Sequence, residues 1–308
     1  MERKILIIAG PTAVGKTEYS IEAAEAVNGE IVSADSMQLY KFMDIGSAKP
    51  TSEERAAVPH HLIDEIDPRI PFSVFEYRKR ALSAIEDIFS RGKVPVIAGG
   101  TGLYVNSLIY DMDFSEKPDD DSLRKKLHKI YEEEGSMALH QILKEKDPEA
   151  AERIHPNNVK KVIRAIEILD SGSDRVKTFE ESFVKTDSYS VRLAVLNRKR
   201  EELYDRINRR VDILVKEGLI EEVSGLKKMG LTAEDISMKG IGYKEVLAYL
   251  DGEYDFDEAI RLIKRNTRRY AKRQLTWFRR YDEARWFNLS DSLSKETTVS
   301  DVVNFFRS

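Results

Sequence analysis

The sequence has no cysteine at any of its 308 positions. That excludes disulfides, zinc–thiolate sites and a cysteine nucleophile, and it fits a reducing cytoplasm. Long apolar runs are missing too: none approaches the roughly 20 residues of a membrane span, so a membrane protein is not expected. A leader is not expected either, because Met1-Glu2-Arg3-Lys4 passes directly into the apolar run Ile5–Ala9 and leaves no room for a signal peptide. There is no internal repeat and no low-complexity tract. Histidine is scarce, and His60-His61 is adjacent rather than spaced i, i+4. On any regular element those rings point apart, so the pair reads as structural and not as a metal site. What the chain has in abundance is charge. Asp, Glu, Lys and Arg make up 34% of it, which suggests long solvated helices. The net charge of −4 conceals a local excess: Arg261 to Arg280 holds nine Lys or Arg and no Asp or Glu.

Gly10-Pro11-Thr12-Ala13-Val14-Gly15-Lys16-Thr17 fits G-x-x-x-x-G-K-[ST] at every fixed position. The context is right as well, with a buried strand expected over Ile5–Ala9 and a helix over Glu18–Val27. Glycines let the backbone turn its N–H groups onto an anion, and the helix N-terminus adds partial positive charge. Lys16 brings a full charge, and the Thr17 hydroxyl can hold a metal ion. The motif announces a grip on a di- or triphosphate. It does not say whose phosphate, and ATP is the first expectation.

Further buried strands are expected over Glu30–Asp35, Val94–Ala98 and Ser190–Leu196. Helices alternate with them, one opened by the capping box Ser73-Val74-Phe75-Glu76. This alternation predicts an α/β fold: a P-loop-type parallel sheet with helices on both faces. Near Phe114 the character changes, and from Asp121 to Leu169 only helices are expected, with Gly135 as a terminator between the first two. The simplest architecture is a core of 1–114 and 187–308 interrupted by an all-helical insertion at 115–186, of a size usual for a small domain. After Leu196 helices dominate. Arg200–Lys216 and Ile220–Lys228 are two, Lys239-Gly240-Ile241-Gly242-Tyr243-Lys244-Glu245 is expected to open another, and Asp257–Tyr281 is long and basic.

In such sheets the ligands sit at the carboxyl ends of the strands. Gly10–Thr17, Asp35–Tyr40 and Gly99–Tyr104 all fall there. Asp35 is a metal- or substrate-binding acid or a general base; both readings are open, since position must come before chemistry. Thr101, in Gly-Gly-Thr-Gly, either approaches a phosphate or simply belongs to a tight turn. Arg206 and Arg210 are i, i+4 on one helix face, suited to clamping a phosphate or equally to facing solvent. The basic segment interleaves its cations with Tyr270, Trp277 and Phe278, the footprint of nucleic-acid binding. A second basic patch comprises Arg153, Lys160, Lys161 and Arg164. Two such patches count against a P-loop small-molecule kinase. A non-catalytic RNA-binding switch would leave Asp35 without a role.

The chain resembles the tRNA dimethylallyltransferases, also called isopentenyl-tRNA transferases. The segments that carry the resemblance are GPTAVGKT (10–17), SADSMQLY (33–40), MDIGSAKP (43–50), PHHLID (59–64), AGGTGLY (98–104), RAIEI (164–168), YDRINRRVD (204–212), KGIGYKE (239–245) and AKRQLTWFR (271–279). They span almost the whole chain in the family's order. The resemblance implies transfer of a dimethylallyl group from dimethylallyl diphosphate to N6 of adenosine 37 in tRNAs reading codons that begin with U, with release of pyrophosphate. It implies that Gly10 to Thr17 hold the donor's diphosphate rather than ATP, with Arg206 or Arg210. It makes Asp35 the base and gives Thr17 and Thr101 catalytic roles, with Mg²⁺ at Thr17. Asp35, Ser36, Met37, Gln38 and Thr101 would meet the extruded base, and Arg124, Lys160, Lys161 and Arg164 the tRNA, the insertion gripping the anticodon stem. Eukaryotic members add a C-terminal zinc finger; without cysteine this chain looks like the bacterial form, expected as a cytoplasmic monomer.

Overall fold

The computed structural model describes residues 3–112, 122–178, 181, 184–292 and 294–308. Six parallel strands form one sheet: β1 (Lys4–Ala9), β2 (Gly29–Ser33), β3 (His60–His61), β4 (Val94–Gly99), β5 (Ser190–Asn197) and β6 (Arg285–Asn288), in the order β3-β2-β4-β1-β5-β6. β1 lies centrally, and Ile5, Leu6, Ile7 and Ile8 are all fully buried. Successive side chains point to opposite faces, so both faces of the sheet are covered. This is why the strand reads as a continuous apolar run rather than an alternation.

The helices are α1 (Lys16–Ala26), α2 (Ser52–Ala57), α3 (Val74–Ser90), α4 (Gly102–Ile109), α5 (Ser122–Lys146), α6 (Pro148–Arg153), α7 (Val159–Asp170), α8 (Arg200–Lys216), α9 (Leu219–Lys228), α10 (Tyr243–Leu250), α11 (Phe256–Phe278) and α12 (Lys295–Arg307). Leu6 and Ile8 pack with Ala23 and Ala24 of α1 and with Val302 and Phe306 of α12. The capping box at Ser73 is formed, with Glu76 reaching back to the Ser73 N–H.

The chain divides into two compact units, Met1–Ile109 with Thr186–Ser308, and Tyr110–Lys185. The second unit is built on α5, α6 and α7 around Leu127, Leu139, Leu143, Val162, Ile163 and Ile166. Gly135 (φ 85°, ψ −179°) leaves helical geometry within α5 and divides it into two helical stretches. The compositional change near Phe114 and the acidic run 116–121 lie outside the described residues.

Several elements differ from expectation. β3, β6 and α12 carry no clear sequence signal: β3 is two residues long, and β6 has no apolar run. No α-helix opens at Lys239. Ser237–Lys239 is one 3-10 turn, and α10 begins only at Tyr243, after Gly242 at φ 97°. Two glycines in three residues favour that break over a helical start. One face of the basic segment also belongs to the core. α11 buries Ile263, Ala271, Gln274 and Phe278, and the Trp277 ring fills the space where a Gly102 side chain would stand. Its cations draw partners from outside the basic run, Lys264 from Asp212 at 2.6 Å and Arg261 from Glu258 at 2.5 Å.

At the start of β2 the buried Glu30 carboxylate is held by Arg91, Lys93 and His61. Chiefly through the Arg91 guanidinium, this keeps Glu30 far below the ordinary carboxylate range. A depressed pKa contributes stability above the unfolded-state value of 4.5 and loses it as pH falls toward the folded value. Glu30→Gln is therefore expected to lower the melting temperature by about 5 °C at pH 7. The gap from wild type should narrow steadily below about pH 4.5 in a pH series of thermal melts.

Candidate active site

Three loops leave the carboxyl ends of β1, β2 and β4 and meet. Their meeting depends on places where no Cβ fits. A Cβ on Gly10 would stand 2.5 Å from the Leu196 carbonyl oxygen, and one on Gly99 2.2 Å from that of Ala34. The first loop, Gly10–Gly15, bends through φ 149° at Gly10, 63° at Ala13 and 114° at Gly15 before α1 begins at Lys16. Two arginines hold it: Arg206 Nε donates to the Ala13 carbonyl at 2.9 Å and Arg198 Nε to that of Val14 at 3.0 Å.

Lys16 Nζ lies inside this arrangement and donates to the carbonyls of Gly10 (3.1 Å) and Pro11 (2.9 Å). Burial pushes its pKa down to about 8, against the opposing pull of Asp35, and nearby Arg210 lowers it further. Arg210 is half-buried, lines both cavities and faces the Asp35 charge across the same space.

The second loop carries Asp35, whose Oδ1 accepts from the Met37 N–H at 2.9 Å, turning the chain sharply. Thr101, from the third loop, accepts from the Ser36 N–H at 3.1 Å, while its own N–H donates to Ala34 O at 3.1 Å. Gln38 accepts from the Ser33 hydroxyl and donates to Ala48 O. Gln274 of α11 joins the first and third loops: Oε1 accepts from the Thr12 N–H at 2.9 Å, and Nε2 donates to Gly100 O at 2.8 Å. Beside it, Tyr270 hydrogen-bonds Thr101 and Gln274; burial, then the Asp35 charge, pushes its phenol up to about 12. It is therefore a neutral hydroxyl at any physiological pH.

Two cavities meet here. A polar cleft of about 730 Å³ is lined by Lys16, Thr17, Lys49, Arg55, Arg206 and Arg209. A second cavity of about 420 Å³ is walled largely by apolar groups, among them Tyr40, Tyr104, Ile207, Val211, Ile263 and Tyr270. Asp35, Arg210 and the Ser47–Ala48 turn line both. A cationic cleft joined to an apolar cavity, with a carboxylate at the junction, suits a ligand with an anionic head and a hydrocarbon body.

The profile described as IPP transferase matches residues 38–281, and one described as isopentenyl transferase matches residues 3–68. The tRNA dimethylallyltransferase of Alkaliphilus oremlandii is 50% identical over 307 residues, covering 100% of this chain and 98% of that one. The Clostridioides difficile enzyme of the same name is 50% identical over 303 residues, covering 98% and 97%. The chain belongs to the tRNA dimethylallyltransferase family. It is thus a prenyl-transferring enzyme. The crystal structure of the full-length tRNA isopentenylpyrophosphate transferase of Bacillus halodurans superposes with a TM-score of 0.76 at 44% identity, covering 99% of this chain and 96% of that one. A eukaryotic dimethylallyltransferase described as acting on tRNA gives 0.85 at 29% identity, covering 97% and 77%.

Against this tRNA dimethylallyltransferase frame, the expected site residues fall into two groups. Gly10–Thr17, Asp35, Ser36, Met37, Gln38, Thr101, Arg206 and Arg210 lie in the first unit, around the joined cavities and the loops that wall them. Arg124, Lys160, Lys161 and Arg164 lie in the second. Lys160 and Lys161 are exposed on α7. Arg124 forms a two-pronged pair with buried Glu167 (2.6 and 2.9 Å), and Arg164 approaches the same carboxylate at 3.4 Å. Arg198, Gln274, Lys49 and Glu222 were not anticipated. Arg198 had a usable signal in its position just past the end of β5.

A lowered lysine pKa means that the folded state resists the charge. That cost is present below pH 8 and is relieved as the pH rises toward the ordinary value of 10.5. In the ligand-free protein the stability of Lys16→Met relative to wild type is accordingly expected to fall by about 2 kcal/mol between pH 7 and pH 10. Denaturant titrations of both proteins at the two pH values measure it; a difference independent of pH would contradict the burial.

Proposed function

We propose that the protein transfers the dimethylallyl group of dimethylallyl diphosphate to N6 of adenosine 37, beside the tRNA anticodon, in tRNAs reading codons that begin with U. The observation that carries this reading is the single carboxylate, Asp35, at the junction of the cationic cleft and the apolar cavity. The diphosphate occupies the cleft, on the Gly10–Thr17 loop (Gly10, Pro11, Thr12, Ala13, Val14, Gly15, Lys16, Thr17) with Arg206 and Arg210. The five-carbon chain occupies the apolar cavity. Adenine N6 is a poor nucleophile because its lone pair is delocalised into the ring, and in a stacked loop the base must be extruded to be reached. Asp35, Ser36, Met37, Gln38 and Thr101 receive it.

N6 attacks C1 of the dimethylallyl group, the C1–O bond breaks, and the electron pair leaves with pyrophosphate. Asp35 takes the N6 proton. Lys16 and Arg210 stabilise the charge that develops on the leaving oxygens, in a cleft where low dielectric strengthens the interaction. Two of the three Lys16 Nζ donors are taken by the Gly10 and Pro11 carbonyls, and the third is left to meet the departing oxygen.

Thr17 fits a Mg²⁺ ion. Among the described residues no cluster of three or more His, Asp or Glu side chains could hold a metal. Thr17 and Asp35 do line one polar cleft, the sparse oxygen set of an ion bound mainly through substrate phosphates and water. Bound there, Mg²⁺ would neutralise charge on the diphosphate. In the second unit Lys160 and Lys161 offer exposed charge to the RNA backbone of the anticodon stem, with Arg164 beside them and Arg124 bracing the same helix through Glu167.

Among the described residues no helix is long and apolar enough to cross a membrane. We assign the protein to the cytoplasm, where its tRNA substrate is, and take the single chain as sufficient, since every proposed donor-site group lies on it.

Incubation with Mg²⁺, prenyl-labelled dimethylallyl diphosphate and an anticodon stem-loop containing A36-A37 is expected to place label in the RNA. ATP hydrolysis with unlabelled RNA would sink the proposal. Asp35→Ala should lower turnover by about 10²–10⁴-fold while largely sparing RNA affinity; equal loss of both would make Asp35 a binding residue. Replacing Lys160 and Lys161 by Ala should weaken RNA binding and flatten its salt dependence by about two phosphate contacts, read from binding titrations across an ionic-strength series.

A further inference from the structure

Residues Asp44 to Ala48 form a wall shared by both cavities. Asp44, Ile45, Ser47 and Ala48 line the polar cleft, and Gly46, Ser47 and Ala48 line the apolar cavity. The segment has no regular secondary structure and includes Ala48 at φ 47°. Backbone in such a conformation persists only when its surroundings over-determine it.

The determinant comes from α9, far away in sequence. Glu222 Oε2 accepts from the N–H groups of Asp44 and Ile45, both at 2.7 Å, and Oε1 accepts from the Gly46 N–H at 3.0 Å. Three successive backbone donors thus converge on one carboxylate, as they would on an anion. A fourth bond comes from the Tyr243 hydroxyl to Oε1 at 2.8 Å. Tyr243 is fully buried, and its ring occupies the space beside Gly46, where a Cβ would stand 2.6 Å from it. Burial and the Glu222 charge hold the phenol well above its usual range, so it remains a donor. Lys49 fixes the far end of the segment, donating to Tyr40 O and the Asp44 carboxylate, both at 2.6 Å, and to Asp64.

We infer that Glu222 is a positioning residue for the prenyl donor: by gathering the N–H groups of Asp44, Ile45 and Gly46, it sets the wall against which the donor's diphosphate and hydrocarbon parts are aligned. This rests on the donor placement proposed above. Glu222 lines neither cavity and acts only through the segment it holds. Its loss should therefore move donor parameters and leave those of the RNA alone.

Glu222→Gln tests this with almost no change of shape. An amide has one acceptor oxygen in place of two, so whichever way it is turned its NH₂ faces two donors. With Mg²⁺ present and RNA saturating, the KM for dimethylallyl diphosphate is expected to rise about tenfold, as displacement of a binding wall predicts. The KM for the stem-loop should stay within about twofold. A merely structural role would lower the active fraction and hence apparent kcat, with both KM values unchanged. That pattern, or a parallel rise in both KM values, would overturn the inference. If the wild-type protein transfers no label, the transferase proposal fails and this one is read from pyrophosphate affinity, measured by calorimetry. An affinity about tenfold weaker in Glu222→Gln supports it and an equal affinity overturns it. Should Glu222→Gln not fold, Tyr243→Phe withdraws one donor from the same carboxylate. Its donor KM should rise about threefold, as loss of one hydrogen bond to a charged group implies, and an unchanged value counts against Glu222.

Discussion

The structure turns on an ammonium group set at the floor of a cleft with backbone carbonyls as its nearest acceptors. Lys16 is buried deeply enough to drop its pKa to about 8, and its nearest acceptors are the Gly10 and Pro11 carbonyls. Such a site is unfavourable in isolation, and the rest of the core limits the cost. Asp35 supplies opposing charge from the next strand. Arg198 and Arg206 hold the Val14 and Ala13 carbonyls by hydrogen bonds. Gln274 ties Thr12 to Gly100, so that the loop cannot relax outward. The result is a cationic loop poised to meet an anion.

The junction of the two cavities gives the chemistry its order. Lys16, Thr17, Lys49, Arg55, Arg206 and Arg209 line the cleft on one side of Asp35, and the cavity on the other is largely apolar, with Lys239, Lys244 and Arg273 also on its wall. A donor carrying charge at one end and hydrocarbon at the other, placed as proposed, would have its breaking bond where the two environments meet. The neutral Tyr270 hydroxyl, bound to Thr101 and Gln274, keeps the third loop in register with the other two without adding charge.

Much of this was legible in local sequence. GPTAVGKT between an apolar run and a helix defines the loop, and four of the six strands follow from apolar runs. The remainder depends on contacts between distant segments, which carry no local pattern. Gln274 meets Thr12 across 262 positions, and Glu222 meets Asp44 across 178. Neither stands out, because a glutamine in a basic helix and a glutamate in an amphipathic one look like solvated surface. The basic run of α11 also hides that Gln274 and Phe278 belong to the interior, while Arg269, Lys272 and Arg273 are exposed. β3 was missed because its two residues gain their strand geometry only by pairing with Ile31 and Val32.

β3 and β6 have a consequence of another kind. They are the outer strands of the sheet, two and four residues long, and they flank β2 and β5, five and eight residues long. A long exposed ladder would invite a strand from another molecule to add to it and begin aggregation. Here the outermost ladders are too short to template one. The brevity that hid these strands in the sequence is also what closes the sheet to its neighbours.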